Sequence, residues 1–178
     1  MQYLILMTSK GGSGKSTLAC NFYLELVRRG SRVTGMDSDP QQHFKSFLNQ
    51  QEQHAENDIT IIDTQGAWTT DNDDLLKKVQ ELDYKIIVPV CPSDDDLKAA
   101  LIMSNRLTNA NVINNTVFVM NSVYRENDLD TKKYSSQLIQ HGLTVSKYAF
   151  QNLKGFKRRD DKGKHIDQIQ RFFHEQGI

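Results

Sequence analysis

The stretch that decides the fold reads Ser9-Lys10-Gly11-Gly12-Ser13-Gly14-Lys15-Ser16-Thr17. It follows an apolar run at residues 3–7 and precedes a segment with helical periodicity, so it lies at a strand-to-helix turn. The glycines carry no Cβ, and the backbone can therefore fold closely around an anion with its N–H groups pointing inward. Lys15 supplies a positive charge, Ser16 a hydroxyl for a magnesium ion, and the helix its positive dipole end. These features predict a phosphate-binding loop.

The loop departs from the common pattern G-x-x-x-x-G-K-[ST] in two ways. Its first position is Ser9 instead of glycine, although the match is good from Gly14 onward. A second lysine, Lys10, lies inside the loop, where one ammonium already serves the β- and γ-phosphates. The additional cation suggests a role elsewhere, for example across a dimer interface. The alternative is a chance glycine-rich turn followed by a lysine.

Composition restricts the class of protein. The 178 residues include 22 basic and 22 acidic side chains, so any contact with nucleic acid must come from a local patch. This length predicts a single domain over residues 1–178. Cys20 and Cys91 lack a paired spacing and indicate reduced thiols in a cytoplasmic protein. Neither a signal peptide nor a membrane-spanning run is expected. The histidines lack metal-ligand spacing, and we interpret them as surface or capping residues: His43, His54, His141, His165 and His174.

Apolar β-branched runs alternate with amphipathic segments along the chain. Strands are predicted at residues 3–8, 32–36, 59–62, 85–90 and 116–120, with a short edge element at 143–148. Helices are predicted at residues 16–29, 71–82, 128–140 and 162–175, with another beginning at Ser93 and a short one within 41–58. The alternation predicts an α/β fold with a doubly wound, mainly parallel sheet and flanking helices. Ligands of such sheets bind at the carboxyl ends of the strands.

Polar residues close several of these predicted strands, namely Ser9, Asp37, Asp39, Asp63 and Asn121. Asp63 is placed to hold magnesium opposite Ser16, or alternatively to cap the next turn. Gly66 follows closely enough for its N–H to approach a γ-phosphate. Asp37 and Asp39 alternate along one extended segment and cannot both point at the same spot. We expect one to reach the metal's water shell and the other the attacking water.

Three motifs together resemble the ParA/MinD superfamily of deviant Walker A P-loop ATPases, and most of all its small plasmid-partition members. Residues 10–17 match K-G-G-x-G-K-[ST]-T, residues 37–41 match D-x-D-P-Q, and Ile61-Ile62-Asp63-Thr64 matches the strand-end aspartate. Weaker similarity extends to about Gly155. The segment between Asp39 and Asp63 is shorter than in typical members, and the helix-turn-helix extension of the larger partition ATPases does not precede the loop.

The resemblance implies a slow, magnesium-dependent ATP hydrolase that binds ATP and ADP. In such an ATP hydrolase, the catalytic residues would be Lys10, Lys15 and Asp39. The metal would be held through Ser16, Asp37 and Asp63. Lys10 would reach the partner subunit's nucleotide in an ATP-bound homodimer, and Asn121 would read adenine. The nucleotide-binding set would be Lys10, Gly11, Gly12, Ser13, Gly14, Lys15, Ser16, Thr17, Gly66 and Asn121.

The resemblance also implies a role in plasmid segregation. The ATP dimer would bind non-specific DNA of the nucleoid, and a centromere-binding adaptor protein would stimulate hydrolysis. The candidate DNA patch is a basic run, for which the alternative is a solvated turn: Lys154, Lys157, Arg158, Arg159, Lys162 and Lys164.

The sequence leaves other functions of this fold open. A MinD-like ATPase that positions itself on membranes would carry a lysine-rich C-terminal helix. Residues 168–178 contain only Arg171 as a base, and we expect their apolar face to pack on the domain. A metallocluster or metabolic enzyme is disfavoured by the cysteine positions and by Lys10. Trp68 is expected either in the core or at the dimer interface.

Overall fold

The computed structural model describes residues 1–52 and 56–178; His54 therefore lies outside the described residues. The strands are Gln2–Leu6 (β1), Val33–Asp37 (β2), Ile59–Asp63 (β3), Asp83–Val90 (β4), Thr116–Val123 (β5) and Phe150–Gln151 (β6). The helices are Lys15–Arg28 (α1), His43–Leu48 (α2), Thr70–Val79 (α3), Asp94–Asn109 (α4), Leu129–Gln140 (α5), Lys154–Arg158 (α6) and Lys164–Gln176 (α7). A short 3₁₀ turn lies at Ile113–Asn115.

The sheet is parallel throughout and has the strand order β2-β3-β1-β4-β5-β6. From β1 the chain moves outward to β2, returns to β3, and then crosses β1 to reach β4. The direction of winding therefore reverses at β1, and the carboxyl end of β1 opens into the crevice where ligands of such sheets bind. The loop at residues 9–17 begins there. The predicted doubly wound parallel sheet is confirmed.

Helices cover both faces of the sheet, and side chains of β1 alternate between two apolar cores. Leu4 and Leu6 belong to the core that includes α1, α2, α6 and α7. Ile5 and Met7 belong to the core that includes α3, α4 and α5. This period of two places a continuous apolar strand between two helical layers, as expected for a strand that is buried on both faces.

The C-terminal helix α7 packs against α1 through its aromatic residues. Phe172 and Phe173 are both 0% exposed, and their ring centroids lie 5.7 and 4.9 Å from that of Phe22. Ile166 and Ile169 are buried beside them. The expectation that the apolar face of this helix packs on the domain is thus confirmed. Within residues 1–52 and 56–178, no helix is long and apolar enough to cross a bilayer.

The structure differs from the predictions near the C-terminal edge of the sheet. The predicted edge element at 143–148 is reduced to one bridge between Val145 and Phe118, and β6 follows it with only two residues. Helix α6 was not predicted, because five residues that include Gly155 are too few to show helical periodicity.

The expectation that His165 is a surface or capping residue was wrong, since the residue is 2% exposed. One ring nitrogen lies 3.0 Å from the Asp160 carbonyl oxygen, and the ring meets Phe156 edge-on at 5.4 Å. A single histidine within a polar run carries no sequence signal for such burial. His165 joins the starts of α6 and α7 instead of facing solvent.

Substitution Phe172→Ala tests the packing of α7. We expect it to lower the free energy of unfolding by about 3–5 kcal/mol, because it leaves a cavity beside Phe22. Urea denaturation measures this loss, and Gln170→Ala on the exposed side of the same helix is the matched control. Equal stability of the two variants would contradict the packing described here.

Candidate functional site

The phosphate loop is held in shape by the end of β5. The Asn121 Nδ2 donates a 2.6 Å hydrogen bond to the Ser13 carbonyl oxygen. Gly14 has a φ of 86°, and a Cβ added there would lie 2.5 Å from the same Nδ2 atom. A side chain at this position would therefore be strained and would also collide with Asn121. The residue predicted to read adenine thus also supports the loop that is predicted to bind phosphate.

The serine that replaces the first glycine of the motif connects the loop to α4. The Ser9 hydroxyl donates a 2.9 Å hydrogen bond to the Ala99 carbonyl oxygen. Inside the loop, the Thr8 hydroxyl donates to the Lys10 carbonyl oxygen at 2.7 Å. A glycine at position 9 could not make the first of these contacts, so the departure from the motif gives the loop an additional attachment.

Two adjoining cavities open beside the loop, where the N-terminus of α1 points. The larger has a volume of about 530 Å³ and includes the following predicted site residues: Gly11, Gly12, Gly14, Lys15, Ser16, Thr17, Asp39 and Gly66. The smaller, of about 250 Å³, is lined by Asn121, Asn152 and Leu153 among others. Ser13 belongs to the loop, but it is buried and lines neither cavity. The arrangement fits phosphates at the helix N-terminus and a base near Asn121.

Asp63 ends β3 as a buried carboxyl group. It is 0% exposed, and neither of its oxygens has a hydrogen-bond partner among residues 1–52 and 56–178. Burial raises the pKa of this carboxyl to about 6, whereas the nearby Ser16 hydroxyl and the Lys15 charge act in the opposite direction. An unpartnered buried carboxylate beside a hydroxyl is a suitable pair of protein ligands for magnesium.

Such a metal site would depend on the nucleotide for further ligands. In the part of the chain that the structure describes, no three His, Cys, Asp or Glu residues are grouped so that they could hold a metal ion by themselves. Magnesium is commonly held by one or two carboxylates together with substrate phosphates and water. Ser16 and Asp63 meet that requirement only when a phosphate group is nearby.

The two aspartates at the end of β2, Asp37 within the strand and Asp39 after it, have different surroundings, as expected from their alternation. The Asp37 carboxylate accepts hydrogen bonds from the backbone N–H groups of Asp39 and Lys45, both at 2.8 Å. It therefore braces the turn into α2. Asp39 accepts one bond from the Gln41 N–H at 2.9 Å and lines the larger cavity. A contact of Asp37 with the metal's water shell stays a prediction.

Gly66 lies directly against the phosphate loop. A Cβ added at this position would be 2.9 Å from the Gly11 Cα, which is too close for any side chain. Two residues later, the half-buried Trp68 packs against Arg106, whose guanidinium carbon lies 4.9 Å from the centroid of the Trp68 ring. The Trp68 Nε1–H group donates a 3.1 Å hydrogen bond to the Asp73 carboxylate. The segment after β3 therefore contacts both the phosphate loop and α4.

Lys10 does not line either cavity beside the loop. Its Nζ atom lies 2.7 Å from the Asp96 Oδ2, and its side chain is 43% exposed. The hydrogen bond to Asp96 raises the pKa of the Lys10 ammonium. Asp96 also accepts from the Ser93 hydroxyl at 2.5 Å, at the predicted N-terminus of α4. By contrast, Lys15 is 5% exposed and lines the larger cavity.

The six basic residues near the C-terminus do not lie on a single surface. Lys157 and Arg159 line the larger cavity. The sequence pattern did not predict that these two residues lie there. Lys164 lines a separate groove with Arg125 and Arg171. All six side chains are exposed, and three of them line neither that cavity nor that groove, namely Lys154, Arg158 and Lys162. Cys20 and Phe156 also line the larger cavity, and neither has a sequence signal that would have identified it.

Comparison with known proteins identifies the family. Residues 4–166 match the family described as CbiA, the CobQ/CobB/MinD/ParA nucleotide binding domain. The chain belongs to this family. ParA/MinD proteins are P-loop ATPases, so the family accounts for the phosphate loop at the end of β1.

Proteins to which this chain is similar in sequence or in fold include some that are described as plasmid partition proteins. A protein of Thermus thermophilus, described as a probable plasmid-partitioning protein ParA, is 41% identical over 58 residues, which span 32% of this chain and 18% of that protein. A Borrelia burgdorferi protein described as a plasmid partition protein, solved with AMPPNP, aligns at a TM-score of 0.73 and 12% identity over 99% of both chains. The pNOB8 ParA bound to nonspecific DNA aligns at 0.65 and 12% identity, covering 97% and 92%. At these identities the two structures support the fold alone.

Substitution Asp63→Asn tests the cost of the buried carboxylate. The folded-state pKa is about 6 against an ordinary value of 3.8, so the charge destabilises the fold above pH 6 and has no effect below pH 3.8. In EDTA without nucleotide, Asp63→Asn should raise the free energy of unfolding by about 3 kcal/mol at pH 7.5. The gain should shrink as the pH falls toward 4.

Urea denaturation across this pH range measures the effect, with Asp161→Asn on the exposed surface as control. A variant no more stable than the parent at pH 7.5 would show that Asp63 is not destabilised by burial.

Proposed function

We propose that this chain is a magnesium-dependent ATP hydrolase that dimerises on ATP and positions DNA, such as a plasmid. The observation that carries the proposal is the placement of Lys10, which lies in the phosphate loop but points out of the loop's own cavity toward Asp96. A lysine in that position can serve the nucleotide of a second subunit.

The cavity supports nucleotide hydrolysis with a role for each residue. Lys15 would bind the β- and γ-phosphates, and Ser16 and Asp63 would hold magnesium, which neutralises phosphate charge when it is bound. Asp39 reaches the same cavity and would orient the attacking water. Gly66 would place its backbone N–H near the γ-phosphate, because it lies against Gly11.

The ion pair of Lys10 is suited to a reversible switch. The Lys10 side chain is 43% exposed, and the Asp96 carboxylate, at 12% exposed, would keep its hydrogen bond from the Ser93 hydroxyl when the lysine leaves. Lys10 would therefore exchange Asp96 for the phosphate oxygens of a neighbouring subunit without leaving the carboxylate unpartnered. In other NTPases a cation supplied by a second protein accelerates phosphoryl transfer by about 10³ to 10⁵. Dimerisation would then complete both sites, and slow hydrolysis would end the ATP-bound state.

The homodimer is tested by measuring molecular mass with each nucleotide. Asp39→Ala should bind ATP without hydrolysing it and should elute as a dimer with ATP and as a monomer with ADP. Adding Lys10→Ala to this variant should restore the monomer with ATP, because the contact to the second nucleotide is removed.

Size-exclusion chromatography with light scattering gives the masses. Lys98→Ala, an exposed lysine on α4 close to Asp96, is the matched control for the loss of charge and should leave the ATP dimer intact. A monomer under all conditions for Asp39→Ala would overturn the proposed mechanism.

DNA binding is the second part of the proposal. The structurally similar pNOB8 ParA was solved bound to nonspecific DNA. With 22 basic and 22 acidic residues, this chain needs a local patch for the same purpose. We assign that patch to the basic run that begins at Lys154, and we expect nucleoid association in the ATP-bound state. A centromere-binding adaptor protein would then stimulate hydrolysis and release the DNA.

The salt dependence of binding tests the DNA patch. Neutralising about four phosphates should give a slope of log affinity against log salt of roughly −3.6. Replacing both Arg158 and Lys162 by alanine should make this slope shallower by about 1.8. Fluorescence anisotropy of ATP-loaded Asp39→Ala on duplexes of unrelated sequence measures it, with ADP-loaded protein as control.

Affinity that does not change with salt would contradict the proposed DNA patch. Sedimentation with anionic liposomes provides a parallel assay for a protein that positions itself on membranes. Binding to liposomes with ATP, together with no binding to DNA, would favour the MinD-like alternative over DNA positioning.

A further inference from the structure

Two residues of the predicted DNA patch lie at the nucleotide cavity. Lys157 and Arg159 line the same cavity of about 530 Å³ as Lys15, Ser16 and Asp39. Arg158, which stands between them in the sequence, does not line it. The inference that follows rests on the proposed nucleotide-binding function and concerns which residues perform it.

The position of α6 beside this cavity is fixed by neighbouring helices. The Asn21 Nδ2 of α1 donates a 2.9 Å hydrogen bond to the Phe156 carbonyl oxygen, and both residues are buried. On the opposite side, a Cβ added to Gly155 would collide with the imidazole ring of His165 in α7. Helix α6 is thus held between α1 and α7, and the direction of its last turn toward the cavity is set by packing.

Arg159 directly follows the last residue of α6 and caps the helix with a backbone conformation that glycine usually adopts. Its φ is 58°, in the left-handed region, where an L side chain is strained. Glycine is the common residue at such a helix end, so an arginine there indicates a role for the side chain. The guanidinium lies 4.8 Å from the Phe47 ring centroid of α2. Arg159 therefore spans the space between α6 and α2.

The charges around the cavity also call for further cations. Lys15 faces the buried Asp63 and the nearby Asp39, while a bound nucleotide would add several negative charges. Neither Lys157 nor Arg159 forms an ion pair with any residue within 1–52 or 56–178. Guanidinium groups match phosphate oxygens through two parallel hydrogen bonds, which a lysine cannot offer.

We infer that Arg159, assisted by Lys157, binds the phosphate groups of the nucleotide within the same subunit. The stack on Phe47 holds the guanidinium at the cavity, and the α6 backbone determines its reach. The basic run is thereby divided by its geometry. Lys157 and Arg159 line the nucleotide cavity, and the members of the run that do not line it, Arg158 among them, remain for DNA.

The affinity for a fluorescent ADP analogue, mant-ADP, tests this division. Arg159→Ala should weaken binding about tenfold, as expected for the loss of a charge-assisted hydrogen bond to phosphate. Arg158→Ala, the matched control on the adjacent residue, should bind mant-ADP as the parent does. Arg159→Gly should lose the same affinity while its thermal midpoint is unchanged or higher, because glycine relieves the left-handed strain.

The same variants distinguish the two proposals. If Arg159→Ala keeps the parent affinity for mant-ADP and weakens DNA binding as much as Arg158→Ala, the assignment of Arg159 to the nucleotide is overturned. In that case the parent still binds mant-ADP and Lys15→Ala does not, so the proposed function survives. If the parent itself does not bind mant-ADP, the proposed function fails and this inference fails with it.

Discussion

The close approach of Gly11 and Gly66 is the constraint on which the site depends. The two backbones come so near that a Cβ at Gly66 would lie 2.9 Å from the Gly11 Cα. One belongs to the phosphate loop after β1, and the other belongs to the segment that follows Asp63, the last residue of β3. A shift of either loop must therefore be transmitted to the other. The candidate phosphate loop and the segment that follows the candidate metal ligand are therefore packed directly against each other.

Two lysines of the same loop show how local geometry divides chemical roles. Lys15 is 5% exposed at the start of α1, whereas the Lys10 side chain is 43% exposed and paired with Asp96 of α4. Both are lysines within six residues of each other. Their difference arises because the chain turns between them, through glycines that permit positive φ angles. One ammonium faces inward as a result, and the other faces a neighbouring helix at the surface.

The sequence was sufficient for features that depend on short-range patterns. The helix that was predicted to begin at Ser93 does so, with the Ser93 hydroxyl accepting a hydrogen bond from the Asp96 N–H at the start of α4. The alternation of apolar strands with helices predicted the parallel sheet. Asp63 was identified because an aspartate after a β-branched run falls at the carboxyl edge of such a sheet.

The features that were missed arise from contacts between distant parts of the chain. Helix α6 has five residues, too few to show helical periodicity in the sequence. Its position depends on Asn21, 135 residues away from Phe156. The basic run therefore seemed uniform in sequence, although Lys157 and Arg159 lie at the cavity and Arg158 does not. Sequence spacing predicts which residues share a helix face, but it cannot show which residues of such a short helix meet a loop that lies far earlier in the chain.

The contact between Gly155 and His165 has a consequence for how this family can diverge. Because the imidazole occupies the space that a Cβ at position 155 would need, position 155 cannot carry a side chain while His165 keeps its place. Relatives with a larger residue at the first position should carry a smaller side chain at the second. Paired replacement at these two sites would mark the lineages in which the last turn of α6 keeps its place beside the cavity.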